Sequence, residues 1–201
     1  MANFSVNLFS NQRNSFSMQS KIEIIQGDIT KISVDAIVNA ANKTLLGGGG
    51  VDGAIHAAAG RELLKECLTI HGCETGQAKI TKGYNLPAKY VIHTVGPIWH
   101  RGTNNEGALL ASCYHNCLKI AEENNIKTIA FPSISTGVYG YPIEEASIIA
   151  LKEIILFLET HSTIEKVTLV CFGERDYHLY NEKLNKLILN REEKRDNNIF
   201  D

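Results

Sequence analysis

The stretch from Asn39 to Gly53, NAANKTLLGGGGVDG, carries the residue types from which an active site can be built. Four consecutive glycines, Gly47 to Gly50, lie between a Val/Ile-rich run and the start of an apolar helical pattern. This order predicts a strand-to-helix loop whose backbone a ligand can approach closely. Two short polar side chains flank the glycines, Asn42 before them and Asp52 after them. Neither has an evident structural duty that Ser or Gly could not perform, so we interpret this loop as an active site.

Phosphate binding is the chemistry that such a loop favours. A glycine-rich turn that opens a helix exposes unpaired N–H groups at the positive end of the helix dipole. A second loop of this kind, PSISTGVYG from Pro132 to Gly140, follows another predicted strand. Turns at 47–50 and 135–140 match the two phosphates of a diphosphate. Neither is a known nucleotide fingerprint, because GxxxxGK[ST] is absent and GGGGVDG lacks the GxGxxG spacing. Glycine content alone therefore leaves a ligand loop and tight packing both open.

Two further residues at strand ends could recognise a nucleotide base. Asp28 directly follows Gly27, and its carboxylate could accept a hydrogen bond from an exocyclic amine such as that of adenine; the alternative is a cap on the following turn. Phe172 is the final aromatic residue of a predicted strand and could stack on a base; the alternative is a place in the core.

The histidines and cysteines predict no metal site. Cys113 and Cys117 are spaced i, i+4 with His115 between them, but no second pair completes four ligands. His56, His93 and His115 lie in apolar patterns, and we interpret them as satisfied core residues. The five cysteines suit free buried thiols in a reducing compartment. We therefore expect an intracellular protein, cytoplasmic or, in a eukaryote, nuclear.

Alternating strands and helices must position these loops. Hydrophobic patterns predict strands at 21–26, 35–40, 78–84, 89–95, 127–131 and 166–172, and helices at 51–59, 61–70 and 108–123, after Pro142 and across 177–187. This alternation predicts an α/β sandwich with a mostly parallel sheet, in which ligands bind beyond the carboxyl ends of the strands. Four segments of interest follow strands in this way, at 27–29, 39–52, 133–140 and 172–173.

Length and composition limit the function classes. The 201 residues fit one domain, with 44% hydrophobic and 21% charged residues. A net charge of -2 gives no general attraction to nucleic acid or anionic membranes, so a nucleotide-like ligand needs local backbone donors. No apolar run reaches the ~18 residues of a membrane-spanning helix. We predict a domain at 21–190, a flexible extension at 1–20 and a charged tail at 191–201. One arginine in the extension is too few for a mitochondrial transit peptide.

Six motifs together resemble a known family. They are GDIT (27–30), DAIVNAAN (35–42), GGGGVDGAIHAAAG (47–60), GQAK (76–79), VIHTVGP (91–97) and PSISTGVYGYP (132–142). In this order they resemble the macrodomain family, and most of all its MacroD-type branch of ADP-ribose hydrolases, over about residues 21–185. The resemblance implies a three-layer α/β/α sandwich with a mixed, mostly parallel sheet of about six strands.

The resemblance also implies a pocket for ADP-ribose. Asp28 would take the adenine amino group, the Ile29 N–H a ring nitrogen, and Phe172 the face of the base. Asn42 would hydrogen-bond the distal ribose. The diphosphate would lie on main-chain N–H groups of Gly48, Gly49, Gly50, Val51, Ser135, Thr136, Gly137, Val138 and Tyr139, and Tyr139 would help to close the pocket.

Asp52 matches the catalytic aspartate of the hydrolytic branch, with Asn42 beside it. The implied reactions remove ADP-ribose from acidic side chains of mono-ADP-ribosylated proteins and deacetylate O-acetyl-ADP-ribose, with no cofactor. Whether Asp52 or a substrate phosphate activates the water is open. The alternatives are a reader module that binds ADP-ribose without turnover, and an unrelated nucleotide-dependent oxidoreductase or phosphatase. We expect a monomer.

The sequence departs from the family in three respects. The first 20 residues have no counterpart in the family core. Phe172 stands where some relatives carry Tyr, which preserves stacking and removes a hydroxyl. The cysteine pattern of the zinc-containing branch is missing, so its metal and its serine-linked specificity are not transferred.

Overall fold

Strands and helices alternate along the part of the chain that the structure describes. The computed structural model covers residues 20–197 and places side chains as far as Arg191. The predicted extension, apart from Ser20, lies outside the described residues. The strands are β1 (Ile22–Gln26), β2 (Ala36–Ala41), β3 (Ala78–Lys82), β4 (Tyr90–Val95), β5 (Thr128–Phe131) and β6 (Lys166–Cys171). The helices are α1 (Gly50–Ala59), α2 (Arg61–Ile70), α3 (Glu106–Glu123), α4 (Ile143–Thr160) and α5 (Glu174–Asn197).

The six strands form one mixed sheet in the order β1-β6-β5-β2-β4-β3. Every neighbouring pair is parallel except β3 and β4, which are antiparallel. The central strands β2 (AIVNAA) and β6 (KVTLVC) are buried along almost their whole length. Parallel strands covered on both faces have this apolar, β-branched composition.

Buried side chains form one hydrophobic cluster on each face of the sheet. Helices α3, α4 and α5 cover one face, where Leu110 and Ile92 pack. Helices α1 and α2 cover the other, where Ile55 and Val91 pack. The adjacent β4 residues Val91 and Ile92 thus point to opposite faces, as the two-residue period of a strand requires. The predicted three-layer sandwich with a mixed, mostly parallel sheet of six strands is confirmed.

Most element ends lie within about two residues of the sequence predictions, and two differences have a structural consequence. The strand predicted to reach Tyr84 ends at Lys82, because Gly83 donates its N–H to Lys89 and accepts from Leu86, which forms a turn. The last helix continues into the predicted tail and ends at Asn197. Within residues 20–197, no helix is both long and apolar enough to cross a membrane.

Asp35 ties together the amino ends of three strands. Its carboxylate accepts from the main-chain N–H groups of Lys127 and Thr128, both at 3.1 Å, and from Lys89 Nζ at 2.7 Å. The Lys89 hydrogen bond, helped by these N–H groups, lowers the pKa of Asp35 to about 2. The ionised side chain therefore fixes the register of β2 against β4 and β5 at the edge opposite the carboxyl ends.

We predict that Asp35→Asn lowers the free energy of unfolding at neutral pH by ~1–2 kcal/mol, because an amide cannot accept all of these bonds. Since the folded pKa is lowered, the Asp35 contribution is present above its unfolded pKa of about 4 and is lost as the pH falls towards about 2. Urea titrations across this range measure the difference between wild type and variant, which must shrink with falling pH.

The control is Glu74→Gln, which removes the exposed Lys43–Glu74 pair. It should change the free energy of unfolding by less than ~0.5 kcal/mol. Equal effects of the two variants would contradict the proposed role of Asp35.

Candidate active site at the carboxyl edge of the sheet

The four segments predicted to bind a ligand follow four strands that are neighbours in the sheet. The strands β1, β6, β5 and β2 are adjacent and parallel, so their carboxyl ends lie side by side. Asp28, Phe172, the turn at 133–140 and the turn at 42–52 therefore follow one another along this edge. At about 4.8 Å per strand, three spacings cover roughly 15 Å.

The glycine turn leads directly into α1, whose first residue is Gly50. Among the described residues, the main-chain N–H groups of residues 48–52 have no hydrogen-bond partner. They lie at the positive end of the α1 dipole, which favours an anion there.

Asn42 holds this turn in shape. Its Nδ2 donates to the Gly47 carbonyl at 2.8 Å, and its Oδ1 accepts from the Thr44 N–H at 3.0 Å and the Thr44 hydroxyl at 2.6 Å. The interpretation that Asn42 has no structural duty beyond what Ser or Gly could perform is therefore wrong. These contacts need a donor atom and a separate acceptor atom, whereas Ser has a single hydroxyl and Gly has no side chain.

Asp52 lies in the first turn of α1 with a side chain that is almost fully buried. Its Oδ1 accepts from Asn39 Nδ2 at 2.7 Å, and His56 Nε2 lies 3.6 Å from the same oxygen. A Cβ atom at Gly48 would lie 3.0 Å from Oδ2, so this second oxygen faces the glycine turn. The carboxylate thus has one oxygen directed into the protein and one towards the unpaired N–H groups.

The second turn is shaped by an unusual backbone conformation. Ser135 has φ 67°, a left-handed backbone conformation that residues other than Gly rarely adopt. Tyr141 donates its N–H to the Ser135 carbonyl at 3.0 Å, and Trp99 donates to the Tyr139 carbonyl at 2.9 Å. The N–H groups of residues 135–139 have no partner within the described range, so this turn offers a second row of donors.

The base-recognition candidates differ in how the structure uses them. Asp28 Oδ1 accepts from the Thr30 hydroxyl at 2.7 Å and the Thr30 N–H at 2.9 Å, which lowers the pKa of Asp28. Asp28 is therefore the turn cap that we considered as an alternative, while its Oδ2 remains available. Ile29 is buried, and its N–H has no partner among the described residues. Phe172 is 89% exposed, so the core interpretation is wrong for it.

The structure separates the cysteines and the histidine that were spaced like metal ligands. His115 is half exposed and lies 3.0 Å from Glu153, whereas Cys113 and Cys117 are buried. The interpretation of His115 as a core residue is therefore wrong. All five cysteines are buried and free, as predicted. His56 is mostly buried, but its Nε2 has no hydrogen-bond partner, so it is not a fully satisfied core residue.

A family described as Macro domain matches residues 38–150. A Macro domain-containing protein of Chlorobaculum tepidum is 60% identical over 163 residues, which are 81% of this chain and 95% of that protein. This chain belongs to the macrodomain family. The human ADP-ribose glycohydrolase MACROD2 is 51% identical over 187 residues, covering 90% of this chain and 44% of the human protein.

Solved macrodomain structures share this fold. The Trypanosoma brucei macrodomain in complex with ADP-ribose superposes with a TM-score of 0.79 at 47% identity. The superposition covers 83% of this chain and 70% of the trypanosomal one.

Sequence reasoning missed three buried polar residues near Asp52 of this macrodomain. The strand pattern includes Asn39, the apolar pattern places His93 in the core, and no motif marks Thr81. A signal was present in the sequence, because Asn39 and His93 each interrupt an apolar strand on the alternation that faces α1 and α2. That these two interruptions meet depends on the register of β2 against β4, which the sequence alone does not reveal.

Gly53 lets α1 approach the glycine turn, and we predict that Gly53→Ala opens this contact. A Cβ there would overlap the Gly48 carbonyl oxygen, which is backbone and cannot rotate away. Helix propensity alone would make the change stabilising by about 1 kcal/mol. We expect instead a loss of ~1–3 kcal/mol in the free energy of unfolding, measured by denaturation with urea.

Gly49→Ala is the matched control. Gly49 has φ -96°, and nothing lies within 4 Å of its added Cβ. The control should be neutral or stabilising by up to ~1 kcal/mol. A stabilising Gly53→Ala would show that the helix and the turn are not in tight contact.

Proposed function

We propose that this macrodomain binds ADP-ribose along the carboxyl edge of the sheet and hydrolyses bonds at its distal ribose. The observation that carries the proposal is the order of the four segments in space. A base site, two rows of N–H groups and a buried carboxylate follow one another across β1, β6, β5 and β2. This is also the order of base, diphosphate and terminal sugar in ADP-ribose.

The diphosphate would lie between the two turns. The N–H groups of residues 48–52 and 135–139 supply donors that have no competing partner in the described part of the chain, and the α1 dipole adds positive potential. Because these donors are main-chain groups, the protein needs no cluster of Lys or Arg, in keeping with its net charge of -2.

The adenine would be recognised at the ends of β1 and β6. Asp28 Oδ2 would accept from the exocyclic amine while Oδ1 continues to cap the turn, and the free Ile29 N–H would donate to a ring nitrogen. The exposed ring of Phe172 offers a face for stacking. The Trypanosoma brucei relative, solved with ADP-ribose, supports this ligand.

The distal ribose would reach Asn42 and Asp52, and Tyr139 would help to close over it. Asp52 Oδ2 faces the open side of the glycine turn, where it can orient a water molecule and take its proton. For an ADP-ribosyl ester, the water oxygen bonds to the anomeric carbon, the bond to the glutamate or aspartate oxygen breaks, and the side chain leaves as a carboxylate. For O-acetyl-ADP-ribose, the water oxygen bonds to the acetyl carbonyl carbon and the bond from that carbon to the ribose oxygen breaks. The ribose oxygen takes the proton that Asp52 removed from water, and the acetyl group is released as acetate.

The presence of a carboxylate, Asp52, at the glycine turn favours hydrolysis over binding alone. An acidic side chain beside a pyrophosphate repels the ligand, so a module that only binds ADP-ribose gains nothing from it. The relatives named ADP-ribose glycohydrolase, at 51% identity in human and 57% in Xenopus laevis, support the same conclusion. The substrates proposed for this chain are mono-ADP-ribosylated acidic side chains and O-acetyl-ADP-ribose.

Asp52→Asn tests the catalytic role. Asn keeps the shape and the Oδ1 acceptor for Asn39 but cannot take a proton from water. We expect release of ADP-ribose from glutamate-modified protein to fall by ~10²-fold or more. Binding of ADP-ribose, measured by calorimetry, should stay within a few fold. Unchanged turnover would remove Asp52 from catalysis, and an inactive wild type that still binds would establish the reader module.

Asp28→Asn is the companion variant and affects binding alone. Its Oδ1 can still cap the turn through Thr30, whereas an amide donor replaces the acceptor that adenine needs. We expect affinity for ADP-ribose to fall by ~1–3 kcal/mol with unchanged stability. Affinity for inosine-diphosphate-ribose, whose ring carries a carbonyl in place of the amine, should rise relative to ADP-ribose. An unchanged preference for adenine would place the base elsewhere.

A further inference from the structure

Three polar side chains form a buried row beneath α1 and α2. Asn39, His93 and Thr81 lie on β2, β4 and β3, which are neighbours in the sheet. Asn39 is directly opposite His93 in the register of β2 against β4. Asn39 and His93 are 0% exposed and Thr81 is 3% exposed. The residues that flank Asn39 and His93 on this face of β2 and β4 are apolar, so the row carries a desolvation cost that an all-apolar face would avoid.

The hydrogen bonds along this row have one consistent direction. Asn39 Nδ2 has two hydrogens and two neighbours, Asp52 Oδ1 at 2.7 Å and His93 Nδ1 at 3.1 Å. Because Asn39 donates to it, His93 Nδ1 must be unprotonated, and the proton of the neutral ring is on Nε2. That nitrogen lies 2.9 Å from Thr81 Oγ1, which accepts from it. The Thr81 hydroxyl then donates to the main-chain carbonyl of Lys82 or Val91, at 3.2 and 3.4 Å.

Burial supports the neutral form of His93. It lowers the pKa of His93 to about 3, with a further contribution from the nearby His56. Neutral imidazole carries only one N–H, so donation to Thr81 leaves Nδ1 as an acceptor.

The orientation of the Asn39 amide towards Asp52 leaves its own oxygen without a hydrogen bond. Its Oδ1 is buried without a hydrogen-bond partner among the described residues. Rotating the amide by 180° would bring this oxygen to 2.7 Å from the Asp52 carboxylate, where two acceptors repel each other. An asparagine that served stability alone would satisfy its oxygen as well.

We infer that Asn39, His93 and Thr81 are positioning residues that hold Asp52 Oδ1 inward and thereby direct Oδ2 towards the substrate. This inference rests on the proposed hydrolytic role of Asp52. Thr81 fixes the His93 tautomer, the tautomer fixes the Asn39 amide, and the amide fixes the carboxylate. The three residues act through Asp52 and do not touch the reacting atoms.

The row also bears on three nearby residues whose side chains are of types that can bind a metal ion. Ligand atoms of His56, Cys67 and His93 lie within 4.8 Å of one another. Burial raises the pKa of Cys67 to about 11, so the thiol keeps its proton. The His93 nitrogen nearest to Cys67, at 3.8 Å, is Nε2, which carries a proton in the tautomer above and has no free lone pair.

The kinetic test uses four variants. Asn39→Ala removes the donor to Asp52, and Thr81→Val removes the acceptor for His93 without changing the shape of the side chain. Asn39→Ala should lower kcat by about tenfold or more, and Thr81→Val should lower it by about threefold to tenfold. In both variants, KM and the Kd of ADP-ribose should stay within about twofold of wild type. Thr81→Ser, which restores the hydroxyl, should return kcat to within about twofold of wild type.

Thr94→Val is the matched structural control. Thr94 is equally buried in β4 but belongs to the opposite face, where its hydroxyl donates to the Gln77 carbonyl at 2.8 Å. It should lose stability like Thr81→Val and keep kcat. Equal losses of kcat in Thr81→Val and Thr94→Val would overturn the inference, as would a Thr81→Ser variant as slow as Thr81→Val.

Nitrogen NMR of the histidine rings provides a readout that does not depend on turnover. In wild type we expect His93 to be the Nε2–H tautomer, with unprotonated Nδ1, and unchanged when Zn²⁺ is added. In Thr81→Val the tautomer should shift towards Nδ1–H and the Asn39 amide signals should move. An Nδ1–H tautomer in wild type, or Zn²⁺ bound at Nε2, would overturn the inference. A wild type that is inactive but shows the expected tautomer would contradict the proposed function and not the hydrogen-bond order of the row.

Discussion

Unpaired main-chain N–H groups at two adjacent strand ends are the constraint around which this macrodomain is organised. Within residues 20–197, the N–H groups of residues 48–52 and 135–139 have no hydrogen-bond partner, because neither a helix nor a strand uses them. Each unpaired group needs water or a ligand. The rest of the fold keeps them in place: Asn42 braces the first turn, Gly53 allows the helix to approach it, and the Trp99 N–H holds the second. A diphosphate is the ligand that we propose for this pair of turns, because its negative charges suit two rows of N–H donors.

Asp52 derives its position from the same arrangement. The helix that begins at the glycine turn carries the aspartate in its first turn. The groups that we propose to bind the diphosphate and to act on the sugar therefore belong to one element. The buried row of Asn39, His93 and Thr81 supports the carboxylate from below. In the function that we propose, one ionisable group at the end of β2 and its buried supports would turn a nucleotide-binding edge of an α/β sheet into a hydrolytic site.

The sequence predicted those parts of the site that depend on local order. Glycine turns after apolar strands, Asp28 after β1 and Phe172 after β6 are all readable along the chain, and the rules for parallel sheets place them at one edge. It could not predict the contacts that depend on register or on side-chain direction. Asn39 meets His93 only because β2 and β4 pair without a shift, and Cys67 approaches His93 only because α2 folds back over β4. The hydrogen bonds by which Asn42 braces the turn, and the exposure of Phe172, likewise depend on three-dimensional packing that a sequence pattern does not reveal.

A crystal structure of the complex with ADP-ribose tests the central claim most directly. The account predicts phosphate oxygens at hydrogen-bonding distance, roughly 2.7–3.2 Å, from N–H groups of both turns. It also predicts the adenine between Asp28 and Phe172 and the anomeric carbon of the terminal ribose on the side of Asp52 Oδ2. A ligand bound in the reverse direction, or with its diphosphate on one turn only and its terminal ribose away from Asp52, would contradict the account.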